Sequence, residues 1–397
     1  MRIQGVVDNN VWPPRMGVTA RVWNLYRGLA FRRPEVEAVT VVSTLKSRER
    51  APKREEREGV TIVRIKPWHP TLFAWLERAG VAPLSLVAEG HRRLPGLITH
   101  AFDPAADVLE VDSLNLTPLL AHARPGALKV YGAQNVEAEW FERVGSGVSR
   151  RAGWVKRLEA LEREALAAAD LVVAVSAEDK ATFTLRYGTA PSKIVVIDNG
   201  FDADHVRVPA PGEKQGARDA LGLAPGERGL LFLGTDFAHN RLAVLELFSH
   251  VVPELTALNA RLFIVGGVSA SFRGRAQTEG QGRVRTVPEQ ADLTPYLWGA
   301  DIGLNPITTG AGSNVKLPTY LAAGLDVVST PFGVRGFDGL RPHIKLAQVD
   351  GFVDALKAPI PVTAGRAQAL AAYAWQAQAD RLLAAYQARL AGQAVPA

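Results

Sequence analysis

The stretch richest in groups that could do chemistry lies between residues 300 and 333. Ala300-Asp301-Ile302-Gly303-Leu304-Asn305-Pro306 reads as a strand, and Ile307-Thr308-Thr309-Gly310-Ala311-Gly312 as a glycine-bearing loop. A helix is expected to begin near Ser313, a residue type that favours helix N-caps. Backbone N–H groups at such an end have no partner inside the helix and form an anion site, to which Lys316, one turn in, adds a full charge. The combination suits a diphosphate, with Lys316 and the amides of Ser313 and Asn314 as donors. A solvent-facing lysine on a surface helix is the plainer alternative, ranked lower because of the glycine loop before it.

A second candidate loop follows the first strand. Gly17 precedes a helix expected from about Val18, where a glycine lets backbone come close to a ligand. Arg21, one turn further on, has the reach for a phosphate or an acidic acceptor, with an ordinary surface arginine as the equal alternative. The histidines are scattered and form no helix-spaced metal pair.

These loops need strands to hold them. Short β-branched runs at Val36–Ser43, Val60–Lys66, Asp107–Val111, Leu128–Tyr131, Leu171–Val175 and Lys193–Ile197 alternate with helical patterns, and the second half repeats the scheme at Gly229–Leu233, Arg261–Val265, Arg283–Thr286, Asp301–Leu304 and Asp326–Ser329. Such alternation indicates βαβ units and two mainly parallel, doubly wound sheets. The Pro-, Gly- and charge-rich stretch from Val206 to Arg228 reads as the linker. The segment from Ala364 to Leu390 reads as a helix with Tyr373, Trp375, Leu382, Leu383 and Tyr386 as its apolar face. The expected organisation is 1–207, then 208–365, then a C-terminal helix over 366–397.

At 397 residues and 47% hydrophobic content the chain is long enough for two cores. It has no cysteine, so thiolate metal sites and disulfides play no part, and a cytoplasmic location is expected. The first residues read as a strand rather than a secretory leader, and no run approaches the roughly 18 apolar residues of a spanning helix. Of the net charge of +6, residues 1–100 hold 17 Lys/Arg against 9 Asp/Glu, and the remaining 297 hold 29 against 31. Part of that basicity is the mixed-sign run Lys46–Glu58, read as a solvated loop. Trp68, Phe73 and Trp75 sit in the same basic region. Core packing is the default for each, but together they favour peripheral contact with an anionic membrane surface, at its inner face. Nucleic acid fits less well, since no recognised binding module is visible.

The sequence Gly310-x-Gly312-Ser313-Asn314-Val315-Lys316, followed by Tyr320-Leu321-Ala322-Ala323-Gly324 and Ser329-Thr330-Pro331-x-Gly333, resembles the donor-site signature of the "group 1", glycosyltransferase family 4-like, retaining enzymes. Further segments resemble that family in the same order: Pro13-Pro14 with Gly17, Val130–Glu139, Glu164–Ser176, Val196–Asp202, Leu231–Asn240 and Leu262–Gly267. The resemblance implies a GT-B fold, two Rossmann-like domains facing across a cleft, with the C-terminal helix crossing back to the first. It implies a retaining, metal-independent hexosyltransferase of cell-envelope polysaccharide type. Such an enzyme moves sugar from a UDP- or GDP-linked donor to a glycan, lipid-linked or small-molecule acceptor, with no cofactor and no metal.

Carried onto this chain, Lys316 and Gln134 take the catalytic positions. Gly17, Gly310, Gly312, Ser313, Asn314, Thr319, Gly266 and Val287 take the donor side, and Arg21 and Asn135 the acceptor or phosphate side. Two departures stand out. Gln134 occupies the place of a family histidine; an amide still bonds a sugar hydroxyl but carries no proton charge. The family's Glu-x7-Glu pair falls on Ala311 and Thr319, leaving Thr319 one weaker ribose contact, with Asn314 or Asp292 as possible compensation. Glu137 and Glu139 are read as complements to a helix dipole. Asp202-Ala203-Asp204-His205 invites a metal-site reading, but the resemblance places it at a hinge of solvated acids. The departures keep open a catalytically silent protein that binds a sugar nucleotide or a partner, and an epimerase of the same fold.

Overall fold

A computed structural model describes residues 1–14, 17–31, 33–45, 50–69, 72, 75–76, 85–144, 151–310, 313–358 and 364–395. The chain divides into two units, Met1–Asp198 with Trp375–Ala397, and Asn199–Ala374. These divisions fall before 207/208 and after 365/366, where the sequence suggested them. The reason is a local pairing. The Phe201 N–H donates to the Tyr373 carbonyl at 3.0 Å, and Phe201 forms a bridge with Ala374, so both crossing segments lie within the second unit.

The first unit is built on β1 (Arg2–Val7), β2 (Ala38–Thr44), β3 (Arg54–Arg57), β4 (Val60–Ile65), β5 (Val108–Val111), β6 (Leu128–Gly132), β7 (Leu171–Ala174) and β8 (Ile194–Val196), in the order β3-β4-β2-β1-β5-β6-β7-β8. Every pairing is parallel except that of β3 with β4. Successive side chains on a strand point to opposite faces, and here both faces are covered: Ile3 and Val7 join one core, Val6 the other. Helices α1 (Gly17–Ala30), α2 (Glu137–Val144) and α3 (Arg151–Ala168) lie among the covering elements. Strand order reverses between β1 and β5, the place where the loops beyond the strand ends part and leave a crevice.

β3 corrects the reading of Lys46–Glu58 as loop throughout. Residues 46–49 lie outside the described residues, but Arg54–Arg57 pairs with β4, and Glu55 accepts from buried Arg64 at 2.9 Å. Alternating charge suits a short edge strand as well as a loop, since it keeps the unpaired edge solvated.

The second unit carries β9 (Arg228–Leu233), β10 (Ala260–Val265), β11 (Val284–Val287), β12 (Ile302–Asn305), β13 (Asp326–Ser329) and β14 (Lys345–Leu346) in the all-parallel order β11-β10-β9-β12-β13-β14. Leu230, Phe232, Leu262 and Ile264 face one core and Leu231, Phe263 and Val265 the other. The order reverses between β9 and β12. Helix α4 (Ala238–His250) follows β9, and α5 (Lys316–Ala322) follows the loop after β12.

The last helix, α6 (Trp375–Leu390), belongs to the first unit. Trp375, Ala379, Leu382, Leu383 and Tyr386 enter its core, and a Cβ added at Gly28 of α1 would sit 2.5 Å from that of Ala379. The single helix expected over Ala364–Leu390 is broken: Arg366–Ala371 is separate, and Tyr373 packs in the core of the second unit. Among the described residues no helix is long and apolar enough to cross a membrane.

Candidate functional site

Each unit presents a candidate site at its own reversal of strand order. In the first, the chain leaving β1, β5 and β6 surrounds a pocket of about 190 Å³ whose polar lining includes Asp8, Asn9, Asp112, Ser113, Gln134 and Glu137. Trp140 and Phe141 of α2 form part of its apolar wall. Gln134 and Asn135 therefore stand where the sequence put them, just past β6, and the Asn135 amide donates to Glu137 Oε1 at 3.4 Å.

The carboxylates around this pocket were not singled out from sequence. Asp8 accepts from the Ser113 hydroxyl at 2.9 Å and from the Asn9 amide at 2.8 Å. Asp112 accepts from the Tyr26 hydroxyl at 2.8 Å, and Glu110, two residues earlier on the same face of β5, accepts from the hydroxyl of Tyr386 on α6. Burial, then the proximity of Glu110, pushes the Asp112 carboxyl well above the usual carboxylate range. Glu137 is raised to about 7 by burial and then by Glu162. Glu162 is itself raised to about 7 by burial, and its carboxylate accepts the Glu137 N–H at 2.6 Å and the Ala138 N–H at 3.3 Å, holding the start of α2. Glu137 thus does more than complement a dipole: its carboxyl lines the pocket and titrates near neutrality. The available signal was position, since residues just past β1, β5 and β6 of a doubly wound sheet line the crevice.

Arg21 is a correction. It is 3% exposed, on the inner face of α1, and its guanidinium donates to the Asp198 carbonyl at 3.1 Å. Buried Asp112, Glu110 and Asp179 and half-buried Asp198 surround it and partly offset the burial that lowers its pKa. The surface alternative is thereby excluded, and the charge of Arg21 faces internal acids. Gly17 begins α1, and a Cβ there would meet no atom within 4 Å.

In the second unit, helix α5 starts at Lys316, not near Ser313. Ser313 is instead held in the loop, its hydroxyl accepting from the Asn199 amide at 2.7 Å, while the Asn314 amide donates to the Gly333 carbonyl at 2.8 Å. Gly310 has φ 122°, a conformation that strains any other residue, and a Cβ there would lie 3.4 Å from that of His239. Gly312 and Ala311 lie outside the described residues.

Half-buried Lys316 donates to Asn240 Oδ1 at 3.2 Å and sits 4.2 Å from the centre of the Phe232 ring. The Asn240 amide nitrogen is engaged with the Thr235 carbonyl at 3.0 Å, which turns its oxygen towards the lysine. Desolvation lowers the Lys316 pKa to about 7. His239 is lowered to about 4, by burial and then by Lys316, and stays neutral beside it. The structure therefore gathers Gly310, His239, Asn240 and Lys316, of which His239 and Asn240 were not predicted as site residues.

Thr319 bonds back to its own helix, its hydroxyl donating to the Val315 carbonyl at 3.2 Å. Gly266 and Val287 meet each other at the ends of β10 and β11, the Gly266 N–H donating to the Val287 carbonyl at 3.0 Å. With φ 109° and a Cβ position only 2.4 Å from the Gly234 carbonyl oxygen, Gly266 is required by the backbone itself. Asp292 accepts the Thr294 N–H at 2.8 Å. Asp202 pairs with His205 at 2.8 Å, and among the described residues no group of three His, Cys, Asp or Glu is placed to hold a metal ion. The scattered histidines do include one pair, His69 and His91, buried with their ring nitrogens 2.9 Å apart. Trp68 and Trp75 are 59% and 66% exposed, so neither follows the core default, while Phe73 lies outside the described residues.

Comparison with known proteins matches both halves. A family model described as a glycosyl transferase 4-like domain covers residues 16–200, and one described as glycosyl transferases group 1 covers 227–359. The chain is similar to D-inositol 3-phosphate glycosyltransferase of Mycobacterium tuberculosis, 27% identical over 253 residues, or 57% of this chain and 50% of the relative. It thus spans about half the length of the curated relatives it matches. Among solved structures it resembles sucrose-phosphate synthase from Thermosynechococcus elongatus, with TM-score 0.70, 16% identity, 99% of this chain and all of that one covered. It also resembles HepE from Anabaena in complex with UDP and glucose, with TM-score 0.62, 14% identity and 96% and 98% covered. Two family models in the family's order, laid over two doubly wound units, place the chain among the group 1 glycosyltransferases of GT-B fold.

Proposed function

We propose that the chain is a retaining, metal-independent hexosyltransferase that takes sugar from a UDP- or GDP-linked donor through Lys316 and receives its acceptor in the pocket beside Gln134. The observation that carries this reading is the lysine: a desolvated cation with a pKa lowered to about 7, beside a positive-φ glycine, at the end of β12 where strand order reverses. An anionic ligand relieves that desolvation. As the sugar–phosphate bond breaks, charge grows on the leaving diphosphate, and a fixed cation stabilises it without a protein nucleophile. Gln134 contributes amide hydrogen bonds to a sugar hydroxyl, and Thr319 one contact to the donor ribose. The UDP and glucose bound to HepE support a nucleotide-sugar donor, and the name of the mycobacterial relative supports glycosyl transfer.

The acceptor is proposed to be a glycan, a lipid-linked acceptor or a small molecule of envelope polysaccharide synthesis, met in the cytoplasm or at the inner membrane face. Exposed Trp68 and Trp75 and the basicity of residues 1–100 support the membrane contact. The reading is tested by transfer assays with purified protein over a panel of UDP- and GDP-sugars and these acceptor classes. Product of retained anomeric configuration supports it. Tight binding of a sugar nucleotide with no transfer to any acceptor favours the second reading, a silent binder, which the residues Ala311 and Thr319 in place of two glutamates motivate.

A further inference from the structure

The pocket beside Gln134 holds a polar side chain that the protein leaves unmatched. Asn115 follows β5 near the start of a short 3₁₀ segment, Leu114–His122, and its backbone N–H donates to the Ser113 hydroxyl at 3.4 Å. The side chain lines the pocket and the residue is only 9% exposed, yet among the described residues its amide makes no hydrogen bond. Its oxygen and nitrogen both keep accessible surface, so a ligand in the pocket can reach them. A largely buried amide without partners is unfavourable, and the ligand that matches it both donates and accepts hydrogen bonds. Gln134, half-buried past β6, is a second amide of this lining with no hydrogen bond among the described residues.

The charge around these amides has one sign. Asp8, Asp112 and Glu137 line the pocket, and no Lys, Arg or His does so among the described residues. Burial is the first cause of the raised pKa of both Asp112 and Glu137, and Asp8 adds to each, so the three carboxyls act on one region. Buried Arg21 offsets part of that charge from outside the lining. Both Asp8 oxygens already accept, one from Asn9 and one from Ser113, and a carboxylate has lone pairs left for further donors. Sugar hydroxyls supply such donors. A phosphate ester, with a charge of about −1.5 to −2 at neutral pH, supplies none when ionised and is repelled.

The rest of the wall is apolar, with Leu114, Trp140, Phe141 and Leu158 available to the C–H face of a ring. At about 190 Å³ the pocket is smaller than the roughly 300–1,000 Å³ that encloses drug-sized ligands, which leaves room for one ring.

We propose that this pocket selects an unphosphorylated polyhydroxylated ring, with Asn115 binding its hydroxyls and Asp8 and Glu137 excluding a phosphate. The inference rests on the assignment of this pocket to the acceptor, and adds the class of ring that enters it and the residue that reads that ring. A longer glycan or a lipid-linked acceptor presents such a ring at its end.

Saturation-transfer NMR on the full chain tests the selection, with glucose, mannose, galactose and myo-inositol each measured with and without a phosphate ester. At least one unphosphorylated ring should bind about tenfold more tightly than its ester. Asn115→Ala should weaken that ring by about three- to tenfold with an unchanged urea midpoint, because the amide has no partner in the protein to lose. Asp8→Asn should raise the affinity of the ester by about tenfold, since it removes one of the repelling charges. Tighter binding of the esters, no binding of any unphosphorylated ring, binding that ignores Asn115→Ala, or an ester affinity that Asp8→Asn leaves unchanged overturns the proposal. If a ring binds through Asn115 but no UDP- or GDP-sugar is transferred to it, the selection stands and the acceptor assignment fails instead.

Discussion

The Lys316 ammonium donates to Asn240 Oδ1 at 3.2 Å, a neutral partner for a desolvated cation. An amide oxygen meets one of its three donors and none of its charge, so Lys316 is prepared for an anion. A charge-assisted contact of this kind contributes about 1.5–3 kcal/mol. Lys316→Ala should therefore weaken binding of a nucleotide sugar by roughly tenfold or more, measured by calorimetry, with thermal stability kept. Unchanged affinity would remove this loop from the donor site.

The same lysine makes donor binding depend on pH. Its pKa is about 7 in the free protein, and a bound diphosphate raises it. Below pH 7 the group is protonated in both states and the affinity is flat. Above it, binding must take up a proton, so affinity falls as pH rises, approaching tenfold per unit until the bound-state pKa is passed. Calorimetry at pH 8 in buffers of different ionisation enthalpy should detect proton uptake in the wild type and none through this site in Lys316→Ala. Equal uptake in both would assign the proton elsewhere.

Glu137 links the acceptor pocket to stability. Its folded pKa of about 7 lies above the ordinary carboxylate value of 4.5. A raised carboxyl penalises the folded state above pH 7 and not below 4.5, so this contribution to stability falls as pH climbs between them. Glu137→Gln removes that penalty, and its melting temperature should exceed that of the wild type at pH 8 and match it near pH 4.5. The gain is on the order of 1–3 kcal/mol at the higher pH. Equal melting at pH 8 would show that the carboxyl is not desolvated there.

Two glycines of the first unit should behave oppositely. A Cβ on Gly5 would fall 2.3 Å from Tyr26 Cζ, under the ring that holds Asp112, so Gly5→Ala should destabilise by about 1–3 kcal/mol in urea unfolding. Gly17→Ala meets no atom within 4 Å and should leave stability alone. If backbone at Gly17 approaches the donor, Gly17→Ala weakens ligand binding with an unchanged unfolding midpoint; unchanged binding rejects that role.

Gln134 separates rate from affinity. A contact at the reacting sugar acts mainly in the transition state, so Gln134→Ala should lower kcat more than it raises KM, with Gln134→His nearer to wild type. Transfer should persist in excess EDTA, because Lys316 is assigned the charge of the leaving group. Activity that vanishes with EDTA and returns with Mn²⁺ would contradict that assignment.

The sequence by itself determined the elements that positioned the chemistry. The β-branched runs from Val36–Ser43 through Asp326–Ser329 all became strands, because alternation of apolar faces and the need to cover both sides of a parallel sheet are written locally. It also put Gly310 and Gln134 just past strand ends, since glycine and the end of an apolar run carry their meaning in short range, while the N-cap reading of Ser313 missed the helix start at Lys316. Tertiary structure alone decided which long-range partners those residues meet. Arg21 read equally as a phosphate contact or a surface arginine until β5 and the residue after it brought Glu110 and Asp112 beside its buried side chain. Glu137 looked like a helix-dipole acid until Glu162, 25 residues later, took its N–H and shared its desolvated surroundings. Lys316 acquired its depressed pKa from burial beside Phe232, on a strand more than eighty residues away in sequence. Burial and charge proximity are sums over neighbours that the chain order does not reveal, and those sums set which of these groups are free to act.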